Sequence, residues 1–238
     1  MRVDEEGFKG GDRTSIELPK AQREMLQMLH KAGKKVIFAN CSGSAMALTP
    51  ELESCNAIIQ AWYGGEKGGQ ALAEVLFGEY NPSGKLPMTF YKSTDELPDF
   101  LDYTMKNRTY RYYTGEALFP FGYGMSYTQF EVGKPTYKDN KVRVNVKNLG
   151  SRAGLETVQV YIRNLGDTEG PLKSLRAYQQ VALNPGEAKT VTIDLPRSSF
   201  EGWDVKTNTM RVVPGKYELM VGSSSADKDL QKKVIVIK

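Results

Sequence analysis

A glycine-rich loop is the first stretch whose residue types could do chemistry. Residues 64–69 (GGEKGG) lie between an apolar run, residues 57–62 (AIIQAW), and an amphipathic stretch, which is the layout of a phosphate cradle. A Walker loop needs a lysine followed directly by Ser or Thr, but Lys67 is followed by Gly68. A dinucleotide fingerprint places glycine where Glu66 stands, and a carboxylate there repels a pyrophosphate. The sequence therefore favours a tight strand-to-helix turn over a nucleotide site.

Metal sites and histidine-based catalysis have few residues to draw on. His30 is the only histidine, and its position late in a predicted helix favours a surface or helix-capping role. Cys41 and Cys55 are the only cysteines. They are too few for a disulfide framework, and they lack the CxxC spacing of a metal site. We therefore expect no metal and no cofactor.

The charge balance argues against nucleic acid and membranes as partners. Lys and Arg number 32 against 28 Asp and Glu, and they are interspersed, so no basic stripe forms. No stretch approaches the roughly 20 apolar residues that span a bilayer. Residues 1–6 (MRVDEE) are too acidic for a signal peptide, so the signal of an exported parent would lie upstream. The location stays unknown, with a periplasmic or secreted parent compatible with the sequence.

The first half of the chain predicts an α/β arrangement. Helical spacing of apolar residues predicts helices over residues 20–32 and 69–77. Continuous apolar runs at residues 36–39 and 57–62 are typical of parallel strands that are buried on both faces. Residues 85–90 are predicted as a third strand. Alternation of strands and helices indicates a parallel sheet covered by helices.

The second half has the period-two alternation of half-buried antiparallel strands. Turn signals such as Asn184-Pro185-Gly186 separate these runs, and this combination predicts a β-sandwich. We place the boundary so that residues 1–128 form the α/β domain and residues 129–238 form the sandwich. The alternating positions predicted to face the core are Val142, Val144, Val146, Val158, Val160, Ile162, Val191, Ile193, Leu195, Tyr217, Leu219 and Val221.

Longer segments resemble glycoside hydrolase family three, and they cover nearly the whole chain. WYGGEKGGQALAEVLFGEYNPSGKLPMTF and YRYYTGEALFPFGYGMSYTQF are similar to the family's parallel α/β sandwich domain. VKNLGSRAGLETVQVYI, SLRAYQQVALNPGEAKTVTIDL and VPGKYELMVGSSS resemble its fibronectin type III-like module. The resemblance implies an α/β plus all-β fold, in which a partial α/β sandwich domain precedes an antiparallel β-sandwich.

The resemblance also implies an activity for a longer parent. Members of the family are retaining glycosidases, with a nucleophilic Asp on an N-terminal (β/α)8 barrel and a general-acid Glu. The barrel is missing from these 238 residues, so we expect a C-terminal fragment that is inactive alone. FANCSGSAMAL and MKNRTYRYY are most similar to β-xylosidases or arabinofuranosidases, which implies oligosaccharide or aryl glycoside substrates. A β-glucosidase parent and a non-catalytic carbohydrate-binding or scaffold role remain alternatives.

The residue that matches the family's general acid is Glu6. It stands in the segment EEGFKGGDR, where the family has a Glu-Gly-Tyr-type stretch shortly before an Asp-Arg pair. Here Lys9, Gly10 and Gly11 are inserted before that pair, which is a departure from the family pattern. Glu5 is a weaker candidate, and the acid of some relatives would fall upstream of Met1. The alternative is that both glutamates are solvated loop carboxylates.

Four further features carry weaker implications. Asp12 and Arg13 are expected to pair with each other and fix their loop. Arg111 lies among three tyrosines, a cluster that could stack on a sugar or pack one domain against another. Trp62 ends a buried run and is expected in the core, whereas Trp203 could contact the missing barrel.

Overall fold

The computed structural model describes residues 14–99, 101–204 and 206–238, which divide into two compact units. The first unit comprises the described part of residues 1–79 together with Met88–Arg108 and Thr114–Phe119. The second comprises Tyr80–Pro87, Thr109–Tyr113 and Pro120–Lys238. Within the described residues, no helix has both the length and the apolar character needed to cross a membrane. The domain boundary expected between residues 128 and 129 stays a prediction, because a compact unit is not the same thing as a domain.

The first unit is a parallel α/β arrangement, as the sequence predicts. The strands β1 (Ile37–Asn40) and β2 (Ala57–Gln60) pair in parallel, in a register that runs from Ile37 opposite Ala57 to Asn40 opposite Gln60. The prediction that both strands are buried on both faces is wrong, because Ile37 is 56% exposed and no residue of β2 is fully buried. A 3-10 turn at Thr94–Glu96 belongs to the same unit. The elements in chain order are α1 (Lys20–Lys31), β1 (Ile37–Asn40), α2 (Thr49–Ser54), β2 (Ala57–Gln60) and α3 (Gly68–Leu76).

Helix α1 begins and ends where its flanking residues require. The carbonyl of Pro19 accepts the backbone N–H groups of the first turn, and Gly33 adopts φ +68°, a left-handed conformation that glycine reaches without strain. Leu26 is the buried residue of the helix and packs in a small apolar cluster. Arg23 donates to the buried carboxylate of Glu51 at 3.0 Å, which ties α1 to α2.

The second unit is an antiparallel β-sandwich with one short helix, α4 (Thr109–Tyr112). Its strands are β3 (Phe130–Val132), β4 (Thr136–Lys138), β5 (Lys141–Asn148), β6 (Gly154–Asn164), β7 (Ser174–Leu183), β8 (Ala188–Asp194), β9 (Glu201–Asp204), β10 (Thr209–Val212), β11 (Gly215–Gly222) and β12 (Leu230–Ile237). One sheet has the order β12-β11-β6-β7. In the other, β5 pairs with β3 and β4 along one edge and with β8 along the opposite edge. Strands β9 and β10 form a separate hairpin.

The alternating positions form the core of the sandwich, so the predicted pattern is confirmed. All twelve residues predicted to face inward are buried and belong to one apolar cluster. Phe200, which is 2% exposed, lies in this cluster with its ring edge-on to Tyr137 and Tyr217 at centroid distances of 5.8 and 5.2 Å. Burial of one face of each sheet is what the period of two dictates.

Residues 85–90 do not form the third parallel strand that the sequence predicts. The Leu86 N–H donates to the Tyr123 carbonyl at 2.8 Å, so this segment finds its partner in the chain after residue 119. Pro87 has no N–H with which to continue a ladder, and Phe90 makes only an isolated antiparallel bridge. The segment therefore pairs with residues 119–123 and does not join the parallel sheet.

A buried polar contact holds the glycine turn around Gly122 in the second unit. Gly122 has φ +79°, and a Cβ there would overlap the side chain of Gln159. The Gln159 Nε2 donates to the Gly122 carbonyl at 3.0 Å and to the Ser223 carbonyl at 2.6 Å. The hydroxyl of Tyr161 donates to the Gln159 Oε1, and burial raises the pKa of Tyr161 far above its ordinary value. Tyr161 therefore serves as a neutral donor in the core.

Candidate functional site

The carboxyl ends of β1 and β2 bring a set of polar side chains to one edge of the parallel sheet. Asn40 and Gln60 are the last residues of their strands and lie opposite each other in the register. The Asn40 Nδ2 donates to the Gln60 Oε1 at 2.7 Å and to the Ser42 Oγ at 3.1 Å, and the Gln60 Nε2 donates to the Ser42 carbonyl at 3.2 Å. Ligands in open α/β sheets bind at this edge, because the loops after the strands meet there.

The backbone is strained where β2 gives way to the glycine-rich loop. Trp62 has φ +54°, a conformation that bulky residues rarely adopt and that the surrounding structure must hold in place. Its ring packs edge-on against Phe90 at a centroid distance of 6.3 Å, and Phe90 is buried. Trp62 is thus half-buried and packs against one buried ring, whereas the sequence predicts it in the core.

This turn presents the neighbouring residue, Tyr63, on the surface. The side chain of Tyr63 is 69% exposed, although the residue belongs to a loop next to the core. Its ring lies against Gly43, and a Cβ on Gly43 would be 2.8 Å from the Cε2 of Tyr63. Glycine is therefore required at position 43 if the ring is to keep this place.

Tyr63 is one wall of a cleft with a volume of about 520 Å³. Apolar side chains that line it include Leu18, Leu26, Phe38 and Met46. Neutral polar side chains that line it are Gln22, Asn40, Ser42, Ser44 and Tyr63. Among the described residues that line the cleft, none is Asp, Glu, Lys or Arg. The cleft lies within the first unit and has the mixed lining of small-molecule sites.

The glycine-rich loop itself has the tight geometry that the sequence predicts. A Cβ on Gly64 would lie 2.8 Å from the Cα of Gly68, so the loop could not close with a larger residue there. Helix α3 begins at Gly68, directly after Lys67. Packing therefore accounts for Gly64, whereas a Cβ on Gly65, Gly68 or Gly69 would meet nothing within 4 Å.

A second constellation surrounds Glu17, near the start of the described residues. One oxygen of its carboxylate accepts the Thr94 N–H at 2.8 Å, and the other accepts the hydroxyls of Ser15 and Thr94. The Ile16 N–H donates to the Thr94 Oγ1 at 3.0 Å, and Glu17 forms a parallel bridge with Ala47. The carboxylate thus fastens the segment after residue 13 to a loop 77 residues away.

These hydrogen bonds decide the protonation state of Glu17. Burial acts to raise its pKa, but the hydrogen bonds from the Ser15 side chain and from the Thr94 side chain and backbone together outweigh it. The net result is a pKa of about 2, against an ordinary value of 4.5. Because the folded pKa is depressed, the stability contributed by the ionised carboxylate is present above about pH 4.5 and is lost as the pH falls towards 2.

We expect Glu17→Gln to weaken this pH dependence. Glutamine keeps one acceptor oxygen for the Thr94 N–H, but its NH2 group replaces the oxygen that accepts the hydroxyls of Ser15 and Thr94, and the variant cannot titrate. The thermal unfolding midpoint of the wild type should fall more steeply than that of the variant between pH 5 and pH 2.5. Glu24→Gln is the matched control, because Glu24 is exposed on α1 and forms only a loose ion pair with Lys20. Identical pH profiles for the Glu17 variant and the wild type would contradict the role assigned to the carboxylate.

Not every residue predicted for the site can be placed. Glu6, Glu5, Asp12 and Arg13 lie outside the described residues, so the general acid and the Asp-Arg pair stay predictions. His30 is exposed in the last turn of α1, in agreement with the expected surface role. Within the described residues, no group of three His, Cys, Asp or Glu side chains could hold a metal ion.

The tyrosine cluster near Arg111 is used for packing within the second unit. The Tyr110 ring stacks on Phe121 at 4.2 Å and lies edge-on to Tyr161, and its hydroxyl accepts the Leu175 N–H. Tyr110 is therefore not available to a sugar. Trp203 is 58% exposed on β9, and its expected contact with another domain stays a prediction.

Comparison with known proteins decides the family. The model of the glycosyl hydrolase family 3 C-terminal domain matches residues 2–127, which is more than half of the chain. The chain belongs to glycosyl hydrolase family 3. The second part of this family 3 chain matches the fibronectin type III-like domain over residues 156–225, in agreement with the sandwich described above.

Relatives of the family 3 chain are considerably longer. It is 57% identical over 243 residues to a xylan 1,4-β-xylosidase of Xylanibacter ruminicola, in a match that covers 100% of this chain and 28% of that enzyme. Its fold resembles a β-glucosidase from Kluyveromyces marxianus with a TM-score of 0.85 and 35% identity, over 96% of this chain and 30% of that one. The fold also resembles that of DesR, a β-glucosidase from Streptomyces venezuelae in complex with D-glucose, with a TM-score of 0.86 and 31% identity. That match covers 98% of this chain and 33% of DesR. The chain spans about a third of the length of these relatives or less.

Tyr63 and Glu17 are the two features of the family 3 chain that the sequence analysis missed. No pattern in the sequence marks Tyr63, and the positive φ of the preceding residue, Trp62, has no signature in residue types. Glu17 has no neighbour in sequence that marks it, because its partner Thr94 lies 77 residues away. A usable signal did exist for Asn40, since a polar residue directly after an apolar run indicates the ligand edge of a parallel sheet, whereas Gln60 lies inside the second run.

Proposed function

We propose that this chain is the C-terminal part of a retaining exo-acting β-xylosidase. The observation that carries the proposal is the 57% identity to the xylan 1,4-β-xylosidase over the whole of this chain. The Kluyveromyces and Streptomyces relatives are β-glucosidases with lower identity, so they support the reaction class more than the sugar. The substrates are oligosaccharides or aryl glycosides that end in a β-linked xylosyl unit.

In this proposal the two carboxyl groups of the reaction come from different parts of the parent enzyme. A nucleophilic Asp on an N-terminal (β/α)8 barrel attacks the anomeric carbon, while Glu6 protonates the departing glycosidic oxygen. The covalent glycosyl-enzyme is then hydrolysed by a water molecule, whose proton Glu6 accepts, and the Asp leaves. Each step conserves its protons, and the sugar keeps its anomeric configuration through two inversions. The chain alone supplies no nucleophile, so it is inactive by itself.

Glu17 supports the same reaction by fixing the start of the segment that leads back to Glu6. The carboxylate with its pKa near 2 stays ionised through the neutral range, so its contacts with Ser15 and Thr94 persist wherever the enzyme would work. Ten residues lie between Glu17 and the proposed acid, so the chain is anchored close in sequence to Glu6. The proposal assigns Glu17 a positioning role and no contact with the substrate.

A graft into the relative tests the sugar specificity. This chain replaces the matching region of the Xylanibacter xylosidase, and the graft is assayed with nitrophenyl β-xyloside, β-glucoside and α-arabinofuranoside. We expect hydrolysis with the highest kcat/KM on the xyloside. The intact relative is the control for assay conditions, and a graft that contains the corresponding region of the Kluyveromyces β-glucosidase is the control for tolerance of exchange. A clear preference for glucoside or arabinofuranoside in the graft, with xyloside preference in the intact relative, would contradict the xylosidase assignment.

A further inference from the structure

Residues 80–87 (YNPSGKLP), which we call the strap, belong to the second unit although they lie far before its first strand, β3. The match to the family 3 C-terminal domain runs to residue 127 and includes the strap, whereas the fibronectin type III-like match begins at residue 156. By sequence the strap therefore belongs to the domain that precedes the sandwich. Its contacts within the second unit lead to a different assignment.

Asn81 fastens the first half of the strap to the start of β6. Its Nδ2 donates to the Ala153 carbonyl at 2.9 Å, and its Oδ1 accepts the Ser126 hydroxyl at 2.8 Å and the Tyr127 N–H at 2.7 Å. Gly154, the first residue of β6, permits this approach, because a Cβ there would lie 2.9 Å from the Asn81 Nδ2. One side chain thus joins the strap to two other segments of the unit.

The second half of the strap runs beside residues 122–124 at backbone distance. The Leu86 N–H donates to the Tyr123 carbonyl, and the Leu86 carbonyl accepts the Gly122 N–H, both at 2.8 Å. A Cβ on Gly124 would lie 2.0 Å from the carbonyl oxygen of Gly84 in the strap, so only glycine fits there. The chain that leads into the sandwich is therefore built to accept the strap against its backbone.

Lys85 brings the positive charge of the strap to a buried carboxylate of the sandwich. Glu156 lies in β6 and is 5% exposed, and its Oε1 accepts the Lys85 Nζ at 2.8 Å and the Thr157 N–H at 2.9 Å. The Lys85 side chain is itself only 14% exposed. Removal of one partner from a buried ion pair leaves the other charge in a poorly solvated place, which is strongly destabilising. The burial of Glu156 therefore depends on a cation that the strap supplies.

We infer that the strap is an integral part of the sandwich, and that the Lys85–Glu156 pair locks it onto the start of β6. This inference goes beyond the proposed function and depends on neither the sugar nor the reaction. It follows that the sandwich needs residues from well before the predicted boundary at residue 129. A sandwich without the strap would leave Glu156 without the cation that it has in this chain.

Hydrogen exchange of the folded full chain, followed by ¹H–¹⁵N NMR, tests the strap. Lys85→Met should raise the exchange rates of the slowest β6 amides at least about tenfold, because Glu156 stays buried without its cation. Lys85→Arg keeps a cation and should have a smaller effect. Glu156→Gln, added to Lys85→Met, removes the uncompensated charge and should restore part of the protection. Gly124→Ala should also raise these rates, since its Cβ would push the strap away.

Lys141→Met is the matched control. Lys141 pairs with Asp194 in the same unit, but the two side chains are 43% and 77% exposed. Its loss should change the β6 exchange rates by less than about threefold. Loss of the folded sandwich in Lys85→Met, with a folded Lys85→Arg variant, would support the inference as well.

Two results would overturn the inference. One is a folded Lys85→Met variant whose β6 amides exchange within about twofold of the wild-type rates, since a buried pair should matter more than that. The other is an equal effect of Lys85→Met and Lys141→Met, which would mean that the strap contributes no more than a surface ion pair. No glycoside is hydrolysed in these measurements, so this inference and the xylosidase proposal can fail separately.

Discussion

Replacing Glu6 by Ala in the xylosidase graft should lower kcat/KM for xylobiose by about 10²–10⁴-fold, which is the usual contribution of a positioned general acid. The leaving group of xylobiose is a sugar alkoxide, which departs only when its oxygen is protonated. A 2,4-dinitrophenyl xyloside has a leaving group that departs without a proton, so formation of the glycosyl-enzyme should be much less affected. The difference between the two substrates is the signature of lost acid catalysis, and a variant that is merely misfolded would not produce it.

Glu5→Ala is the matched control for the same experiment. Glu5 precedes Glu6 directly, so both variants remove one carboxylate from the same segment. We expect the Glu5 variant to hydrolyse both substrates at close to the rate of the unmodified graft. Near-normal turnover of xylobiose by the Glu6 variant would remove Glu6 from the mechanism. The acid would then be Glu5, if that variant alone is impaired, or a residue that the relative contributes upstream of Met1.

Phe200→Ala should destabilise the β-sandwich by about 3–5 kcal/mol, the usual effect of truncating a buried phenylalanine. Phe200 is 2% exposed and packs edge-on against Tyr137 and Tyr217, so its removal leaves a cavity in the main apolar cluster. Urea unfolding followed by circular dichroism measures the effect. Because the chain has two compact units, two transitions are expected, and only the one that belongs to the sandwich should move.

Tyr178→Ala is the control for this measurement. It removes a ring of similar size from β7 of the same unit, but that ring is 66% exposed. We expect a change below about 1 kcal/mol, which is typical of surface positions. A loss for Phe200→Ala that is no larger than the loss for Tyr178→Ala would mean that the cluster around Phe200 does not hold the sandwich together.

The sandwich was the part of the fold that the sequence specified most completely. A period of two places Val142, Val144 and Val146 on one face of β5, and no other regular structure buries that set together. The two parallel strands were also predicted from their continuous apolar runs, but neither is covered on both faces as such a run predicts, since Ile37 is 56% exposed. Residues 85–90 have a similar composition, yet their partner is Tyr123 rather than the sheet. Composition does not name the hydrogen-bond partner of a segment.

The candidate site was harder to predict because its geometry depends on distant contacts and on backbone conformation. The Glu17 carboxylate gains its low pKa from Thr94, and no local pattern connects two residues so far apart. Trp62 has a positive φ angle, whereas a tryptophan is expected to have a negative one. The course of the chain into Tyr63 could therefore not be predicted from residue type. The motif around Glu6 was recognisable only through the resemblance to the family, since a carboxylate in a polar loop is unremarkable by itself.

The most direct measurement of the central claim compares rates of nitrophenyl β-xyloside hydrolysis by the isolated chain and by the graft, at equal concentration and from protein shown to be folded. The claim is that this chain contributes the acid and not the nucleophile of a two-carboxylate reaction. It predicts no hydrolysis above background by the isolated chain and ordinary enzymatic turnover by the graft. Turnover by the isolated chain at rates typical of glycosidases would contradict it, because both catalytic groups would then have to lie within these 238 residues.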